Sequence, residues 1–490
     1  MENSYSNIFR QPKAFYVIFM LEIWERLLNA GIMSIIAIFL MKKFGMNEMD
    51  SANITGSFGA LCYAFIVIGG ELGDKWFGIK RSILLGLIFI LCGFLALYYV
   101  EYHIDNSHVI NHDLIYFCLA FYIIGMSLFK PNPSNLLSLY YPQNTDLDSV
   151  YTYYYMAINV GSLIGASIIP VVIVKYGYLY GITILIIAAL IAIACYIIGY
   201  PIIKNKDNQV GNTKLSLSKI IISLIGTSVI LYITGEMLKY NTLASWFLYS
   251  LFFISVIYFI HLIKSAPTPS DRSKIIVALV LILQYMLFFI LFIQLFSSLT
   301  FFGLSNCNLS LGPITFNEQQ FAIFDGLSVV VLSPLLAFWY KKHDDDHAYV
   351  TKFSLGNIAL GLSFIVLYVS TFFADSKSHV NVIWVLFAFV IFAGGELLIS
   401  AVGLSMIADL INKSNRGFAY GFWFITGALG MKIGGKIAGI FTIPEGVTNP
   451  AVTLHIFSNL FLLLGGVVTS IGLITCIFIP KLKSMLRYSK

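Results

Sequence analysis

LEIWERLLNAG, residues 21–31, sits inside an apolar run that extends from about residue 14 to residue 41. A run of that length crosses a bilayer as a helix. An α-helix turns about 100° per residue, so Glu22, Glu25, Arg26, Asn29 and Met33 share one face. Charges on a membrane helix are expensive unless they pair or border a wet cavity. The plain alternative is a salt bridge that only locks two helices together. The charged face therefore marks a candidate functional site.

The surrounding composition agrees with a membrane setting. Of 490 residues, 58% are hydrophobic, 16% aromatic and 11% charged, where soluble domains carry about 25% charged residues. The six cysteines (Cys62, Cys92, Cys118, Cys195, Cys307 and Cys476) show no paired spacing. They read as small apolar residues, without disulfides or metal ligation. The first residues, MENSYSNIFRQPK, are polar, and the apolar run after them is too long for a signal peptide, so the first span is expected to direct its own insertion.

Apolar stretches long enough to span fall near 14–41, 51–72, 82–100, 112–140, 149–173, 178–203, 217–237, 242–263, 275–301, 319–340, 353–373, 380–411, 417–441 and 453–480. That makes fourteen. With the N-terminus inside, the alternate loops and tails on that side hold 21 of the 30 Lys and Arg, against five outside (Lys42, Lys43, Lys175, Lys239 and Lys377). This asymmetry predicts an even number of spans and both termini in the cytoplasm. The predicted division is an N-terminal six-helix bundle over 1–203, an inserted two-helix linker over 204–273 and a C-terminal six-helix bundle over 274–490. The seventh and eighth spans hold few ionisable residues and read as scaffold or lipid-facing helices.

Four basic residues belong to spans rather than loops: Arg26, Lys130, Lys432 and Lys436. Their acidic counterparts are Glu22, Glu25, Asp325 and Glu396. Buried charges of both signs at the two ends of the chain predict a polar cavity near the midplane to which both halves contribute, as in secondary transporters.

Two sets of motifs narrow this further. GGELGDKWFGIKR, residues 69–81, has glycines for tight helix ends, and Asp74 with Lys75, Lys80 and Arg81 for a cytoplasmic charge latch. It resembles the loop motif of the major facilitator superfamily, which makes Gly70, Asp74, Lys75 and Arg81 the candidate gating-loop residues. FKPNPSN at 129–135 and YTYYYMAINVGSL at 151–163 are similar to the signature of the proton-dependent oligopeptide transporter family (POT, or PTR), and LEIWER matches that family's E-x-x-E-R motif. Tyr63, Gln294 with its following SSL, SPLLAFWY, TKFSLG, GGELLISAVGLS at 394–405 and YGFWF at 420–424 match further segments in order. The resemblance covers essentially the whole chain and implies the major facilitator fold, all-α, with fourteen transmembrane helices.

The resemblance also implies roles. Glu22 and Glu25 would carry or gate a proton, and Arg26 and Lys130 would pair with them or with a substrate carboxylate. Asn159 and Glu396 would hold a substrate amino group, while Tyr63 and Trp423 would line the pocket together with Asn29, Met33 and Gln294. Several positions depart from the family pattern. Leu27, Asn29 and Ala30 stand where aromatic residues are usual, and Met33 replaces an arginine. Asp325 replaces an asparagine, Gly326 a proline, and Ile293 the acid before Gln294. Asp325 and Lys432 lie at similar depth from the outer surface, so an ion pair or a joint substrate contact is expected between them. Lys436 is expected to reach the outer interface.

The function expected is a proton-coupled symporter importing di- or tripeptides, or peptide-like molecules, by alternating access. The altered pocket keeps an alternative open, a relative moving an amino-acid conjugate or siderophore-like metabolite, with export conceivable. An enzyme is not expected, since no HExxH or GxSxG occurs and the eight histidines are scattered. No GxxxxGK[ST] loop is present for an ATP-driven pump. The partners expected are a small peptide, protons as the coupling ion and the lipid bilayer, with no cofactor, metal or nucleic acid. A monomer in the inner membrane is anticipated.

Overall fold

The computed structural model describes residues 8–107, 112–141, 148–208, 210–211, 213, 216–342, 348–412, 415–444 and 447–487. Lys214, Lys413 and Lys490, three of the basic residues assigned to the inner side, lie outside the described residues.

Helices dominate. They are α1 (Lys13–Phe44), α2 (Glu48–Leu72), α3 (Ile79–Ser107), α4 (His112–Phe129), α5 (Asn132–Ser138), α6 (Asp148–Tyr176), α7 (Tyr178–Ile203) and α8 (Leu217–Lys239). There follow α9 (Asn241–Lys264), α10 (Pro269–Phe292), α11 (Ser298–Asn306), α12 (Phe321–Lys342), α13 (Ala348–Ser370), α14 (Val382–Leu410), α15 (Arg416–Ile440) and α16 (Pro450–Arg487). Among the described residues, twelve elements are long and apolar enough to cross a membrane, counting α4 with α5, and α10 with α11, as one span each. The other two are α12 and α15, of 22 and 25 residues. The fold is thus an all-α polytopic membrane protein of fourteen membrane-length elements.

Local chemistry sets the helix ends. Gly45, in the left-handed region at φ 62°, closes α1 by bonding its N–H to Leu40 O. Asn47 accepts from the Asp50 N–H at 2.8 Å to start α2. Thr268 caps α10, with Pro269 in the first turn where its missing N–H is not needed. Pro131 and Pro133 separate α4 from α5, and Asn132 Nδ2 bridges the break by donating to Leu128 O at 2.7 Å.

The chain divides into two compact units. One comprises residues 1–45 and 61–244. Its core draws on α1, α3, α4 and α7, with Phe15, Ile18, Leu87, Phe129 and Ala192 buried. The second comprises residues 46–60 and 245–490, so the first half of α2 is counted there. It carries short strands: Cys307–Asn308 pairs parallel with Val380–Asn381, and Ser310–Leu311 pairs antiparallel with Ile314–Thr315. Asn306 ties this end of the unit together, donating to Ser378 O (3.1 Å) and Pro450 O (2.8 Å) and accepting from Thr453 Oγ1 (2.7 Å).

The inserted helices part company. α8 belongs to the first unit, where Gly235 lets Phe117 of α4 approach and Lys239 pairs with Asp113 at 2.8 Å. Most of α9 belongs to the second, where Phe259 packs on Phe418 and Phe422 of α15. Both present many exposed apolar side chains, among them Ile222, Leu224, Phe253 and Ile257, the surface a bilayer covers.

Candidate functional site

The charged face of α1 is buried. Glu22 and Glu25 are 0% exposed. Arg26 grips Glu25 with a two-pronged bond, Nε to Oε2 and Nη2 to Oε1, both at 2.6 Å, the strong geometry for a guanidinium and a carboxylate. Its Nε also lies 3.6 Å from Glu22 Oε1. Lys130, at the end of α4, donates to the same Glu22 oxygen at 2.8 Å, and Tyr154 on α6 donates its hydroxyl to Glu22 Oε2. Two anions and two cations thus close a neutral network. Pairing of this completeness is what allows charges to sit in a membrane interior.

Two glycines make the network possible. A Cβ added at Gly161 or Gly165 of α6 would collide with the carbonyl oxygens of Ile23 or Leu27 on α1. Their absence of a side chain brings the helices close and sets Tyr154 against Glu22. The spacing Gly161-x-x-x-Gly165 in NVGSLIGAS is the local mark of this close approach in the sequence. Among the other α1 positions, Asn29 donates to Tyr122 OH at 3.0 Å, and Met33 is buried at 6% exposure. Tyr63 lies half-buried on α2. Asn159 donates back to Tyr155 O within its own helix at 3.0 Å.

The α2–α3 loop is assembled differently from the charge latch drawn among its own residues. Lys75 pairs with Glu71 at 2.6 Å on the exposed surface. Arg81 donates to Phe77 O (3.3 Å) and Thr213 O (2.6 Å). Lys80 is buried and reaches Asp207 at 3.8 Å and the Lys204 carbonyl. Asp74 is exposed. The acid that closes the loop is Asp207, from the segment after α7, too far along the chain for any local pattern to point to it. Gly70 has ordinary space beside Pro131; the tight approaches are at Gly69, against Ser127 O, and at Gly73, against the Asn132 side chain.

In the second unit, Gln294 is wholly buried and its amide is engaged internally. It donates to Ile290 O and Gly434 O, both at 2.9 Å, and accepts from Ser298 Oγ at 2.8 Å. Trp423, 2% exposed, stacks on Tyr285 at 3.5 Å between ring centres and fills the space left by Gly403. Asp325 on α12 and Glu396 on α14 lie beside each other. Asp325 Oδ1 and Glu396 Oε2 are sealed from solvent and accept no hydrogen bond.

The expected Asp325–Lys432 pair is corrected by this geometry. Lys432, 1% exposed, donates to Ser57 Oγ of α2. Equal depth in the membrane says nothing about which way two helices face, and rotation about the helix axes gives the two residues different partners. Lys436 donates to Tyr249 OH of α9 at 3.1 Å, with its ammonium 5.3 Å from the ring centre.

Residues 80–453 match the family model described as the POT family. The chain belongs to the POT family. Across 480 residues this POT chain is 34% identical to a dipeptide and tripeptide permease A of Pectobacterium carotovorum, covering 98% of this chain and 93% of that protein. The permease of the same description from Escherichia coli is 33% identical over 480 residues, covering 98% and 94%. Among solved structures, a bacterial homologue of the human drug peptide transporters superposes with a TM-score of 0.84 at 25% identity, covering 96% of this chain and 99% of that one. A structure on substrate recognition in proton dependent oligopeptide transporters superposes with a TM-score of 0.83 at 26% identity, covering 97% of this chain and 99% of that one. The fold of this POT chain is accordingly that of the major facilitator transporters.

Proposed function

We propose that this POT-family chain is a proton-coupled importer of di- and tripeptides working by alternating access, a transporter and not an enzyme. The observation that carries the proposal is the neutral Glu22–Lys130–Arg26–Glu25 network. A substrate carboxylate competes with Glu22 and Glu25 for the same two cations. When it takes Lys130 or Arg26, the carboxylate left behind is buried without a partner and is neutralised by a proton, because an unpaired charge is costly there. When that proton is lost to the cytoplasm, the carboxylate reclaims its cation and the substrate is released. Proton and peptide thereby travel together with no cofactor.

In the second unit the Asp325–Glu396 pair serves the substrate's ammonium group. Glu396 accepts from it, with the Asp325 carboxyl group beside it. The names of the relatives support a peptide over an amino-acid conjugate or siderophore-like metabolite. The location proposed is the inner membrane, with both termini in the cytoplasm on the charge asymmetry of the loops, and the working unit is a monomer.

The test is uptake of labelled dialanine into proteoliposomes with an imposed inward proton gradient. Unlabelled dipeptides are expected to compete. Glu25→Gln is expected to abolish accumulation against a gradient while sparing exchange of internal for external peptide. Absence of any dipeptide binding or exchange by the wild-type protein would overturn the proposal.

A further inference from the structure

The α2–α3 loop joins two helices whose facing ends bond to residues from far along the chain. The last turn of α2 continues as a π-helical turn over Gly73–Phe77, and α3 begins at Ile79. Both ends are met by two consecutive residues from the segment after α7. Asp207 Oδ1 accepts from the Ile79 N–H at 3.0 Å. Asn208 Nδ2 donates to Gly73 O at 3.0 Å and to Asp74 O at 3.1 Å, while its Oδ1 accepts from the Gly211 N–H at 2.8 Å. An anion therefore sits at a helix N-terminus and an amide donor at a helix C-terminus, each with the polarity its site prefers.

The fit is tight on both sides. Gly78 adopts φ +88°, a conformation that favours glycine, and a side chain there would occupy the place of Gly211 Cα. Lys80 adds its ion pair to Asp207, and Tyr196 OH donates to Lys80 O at 2.9 Å. On the neighbouring turn Trp76 Nε1 donates to Ser223 Oγ of α8 at 2.7 Å, with Lys219 over the indole ring at 5.7 Å.

We infer that Asp207 and Asn208 are positioning residues for transport: as a cap supplied from elsewhere in the chain, they hold the inner ends of α2 and α3 as one rigid piece. Neither residue touches substrate. They act through the loop, by preventing the two helix ends from fraying separately when the unit moves. This role rests on the transporter reading given above.

The experiment uses the full-length protein and two readouts. Amide hydrogen exchange over residues 73–82 reports the cap itself, without any assumption about substrate. Proton-driven dialanine uptake reports its consequence. Asn208→Asp keeps the shape and the acceptor for Gly211 but loses both donors and sets a carboxylate against two carbonyls. It is expected to speed exchange in this window by about fivefold for each hydrogen bond lost. Maximal uptake rate is expected to fall severalfold while KM for dialanine stays within about twofold, since the substrate site is untouched. Asp207→Asn retains an acceptor for Ile79 and is expected to be milder than Asp207→Ala.

Unchanged exchange in Asn208→Asp would overturn the cap. Faster exchange with an unchanged maximal rate would overturn the positioning role, leaving a purely structural one. A thermal midpoint equal to wild type distinguishes either result from misfolding. If Asn208→Asp lowers the midpoint, the Asp207→Asn and Asp207→Ala pair is read by the same two measurements. A wild-type protein that moves no dipeptide would remove the transport reading while the exchange data still decide whether the cap exists.

Discussion

Replacing Lys130 with Met removes one of the two cations from the α1 network and leaves Glu22 with the Tyr154 hydroxyl and an Arg26 Nε 3.6 Å away that is already committed to Glu25. Removing one member of a buried ion pair costs about 3–5 kcal/mol, because the other charge remains buried. Lys130 keeps 22% of its side chain accessible while Glu22 has none, so the lower part of that range applies. There is also a ceiling. Neutralising a carboxyl group at pH 7 costs about 3.7 kcal/mol from its ordinary value near 4.3, and a site that charges more than this takes up the proton.

The sign follows from proton linkage. In Lys130→Met a cost of about 3 kcal/mol lies under that ceiling at pH 7, so folded Glu22 takes up its proton only as pH falls further, while the unfolded chain is still ionised, and from there the deficit shrinks by about 1.4 kcal/mol per pH unit. Thermal midpoints of wild type and Lys130→Met in detergent, measured from pH 7.5 down to pH 5, are expected to converge. Glu22→Gln combined with Lys130→Met removes both charges and is expected to recover most of the loss. A deficit independent of pH, or a double variant whose loss is the sum of the two singles, would refute the pairing and with it the competition for cations on which coupling depends.

Gly161→Val is expected to prevent folding by driving α6 off the Ile23 carbonyl, whereas Gly226→Ala on α8, with nothing within 4 Å of the added carbon, is expected to leave the elution profile and midpoint unchanged. Outside the membrane, the His379 and Lys377 N–H groups both donate to Asp375 Oδ1, at 2.8 and 2.9 Å, and hold its carboxyl below the ordinary range. Because the folded value is depressed, the protection of these two amides is present above the unfolded carboxyl range and lost as pH falls through the folded one, and Asp375→Ala is expected to abolish it at every pH. Amide exchange that is indifferent to pH in the wild type would contradict that assignment.

What could be read before the structure was known shares one property, that it is local. Glu22, Glu25, Arg26 and Asn29 fall on one face because helix geometry alone relates them. The spans follow from run length, and the apolar character of α8 and α9 from their composition. Each rests on residues within a turn or two of one another, or on a property summed along the chain.

Partners across helices behaved otherwise. Asp207 lies more than a hundred residues beyond the Lys80 it neutralises, and nothing near Lys80 points to it. Asp325 and Lys432 match in depth, yet depth leaves helix rotation free, and rotation gives one to Glu396 and the other to Ser57. Gln294 and Trp423 carry motif positions in the sequence, but only packing shows that the first bonds Gly434 O and that the second fills the hollow at Gly403. The sequence by itself determined a fourteen-span membrane protein with an ionisable face on its first helix, because periodicity and transfer energy act along the chain. Which cation meets which carboxylate was decided only by the tertiary structure, because it depends on where glycines such as Gly161 and Gly165 let two helices cross.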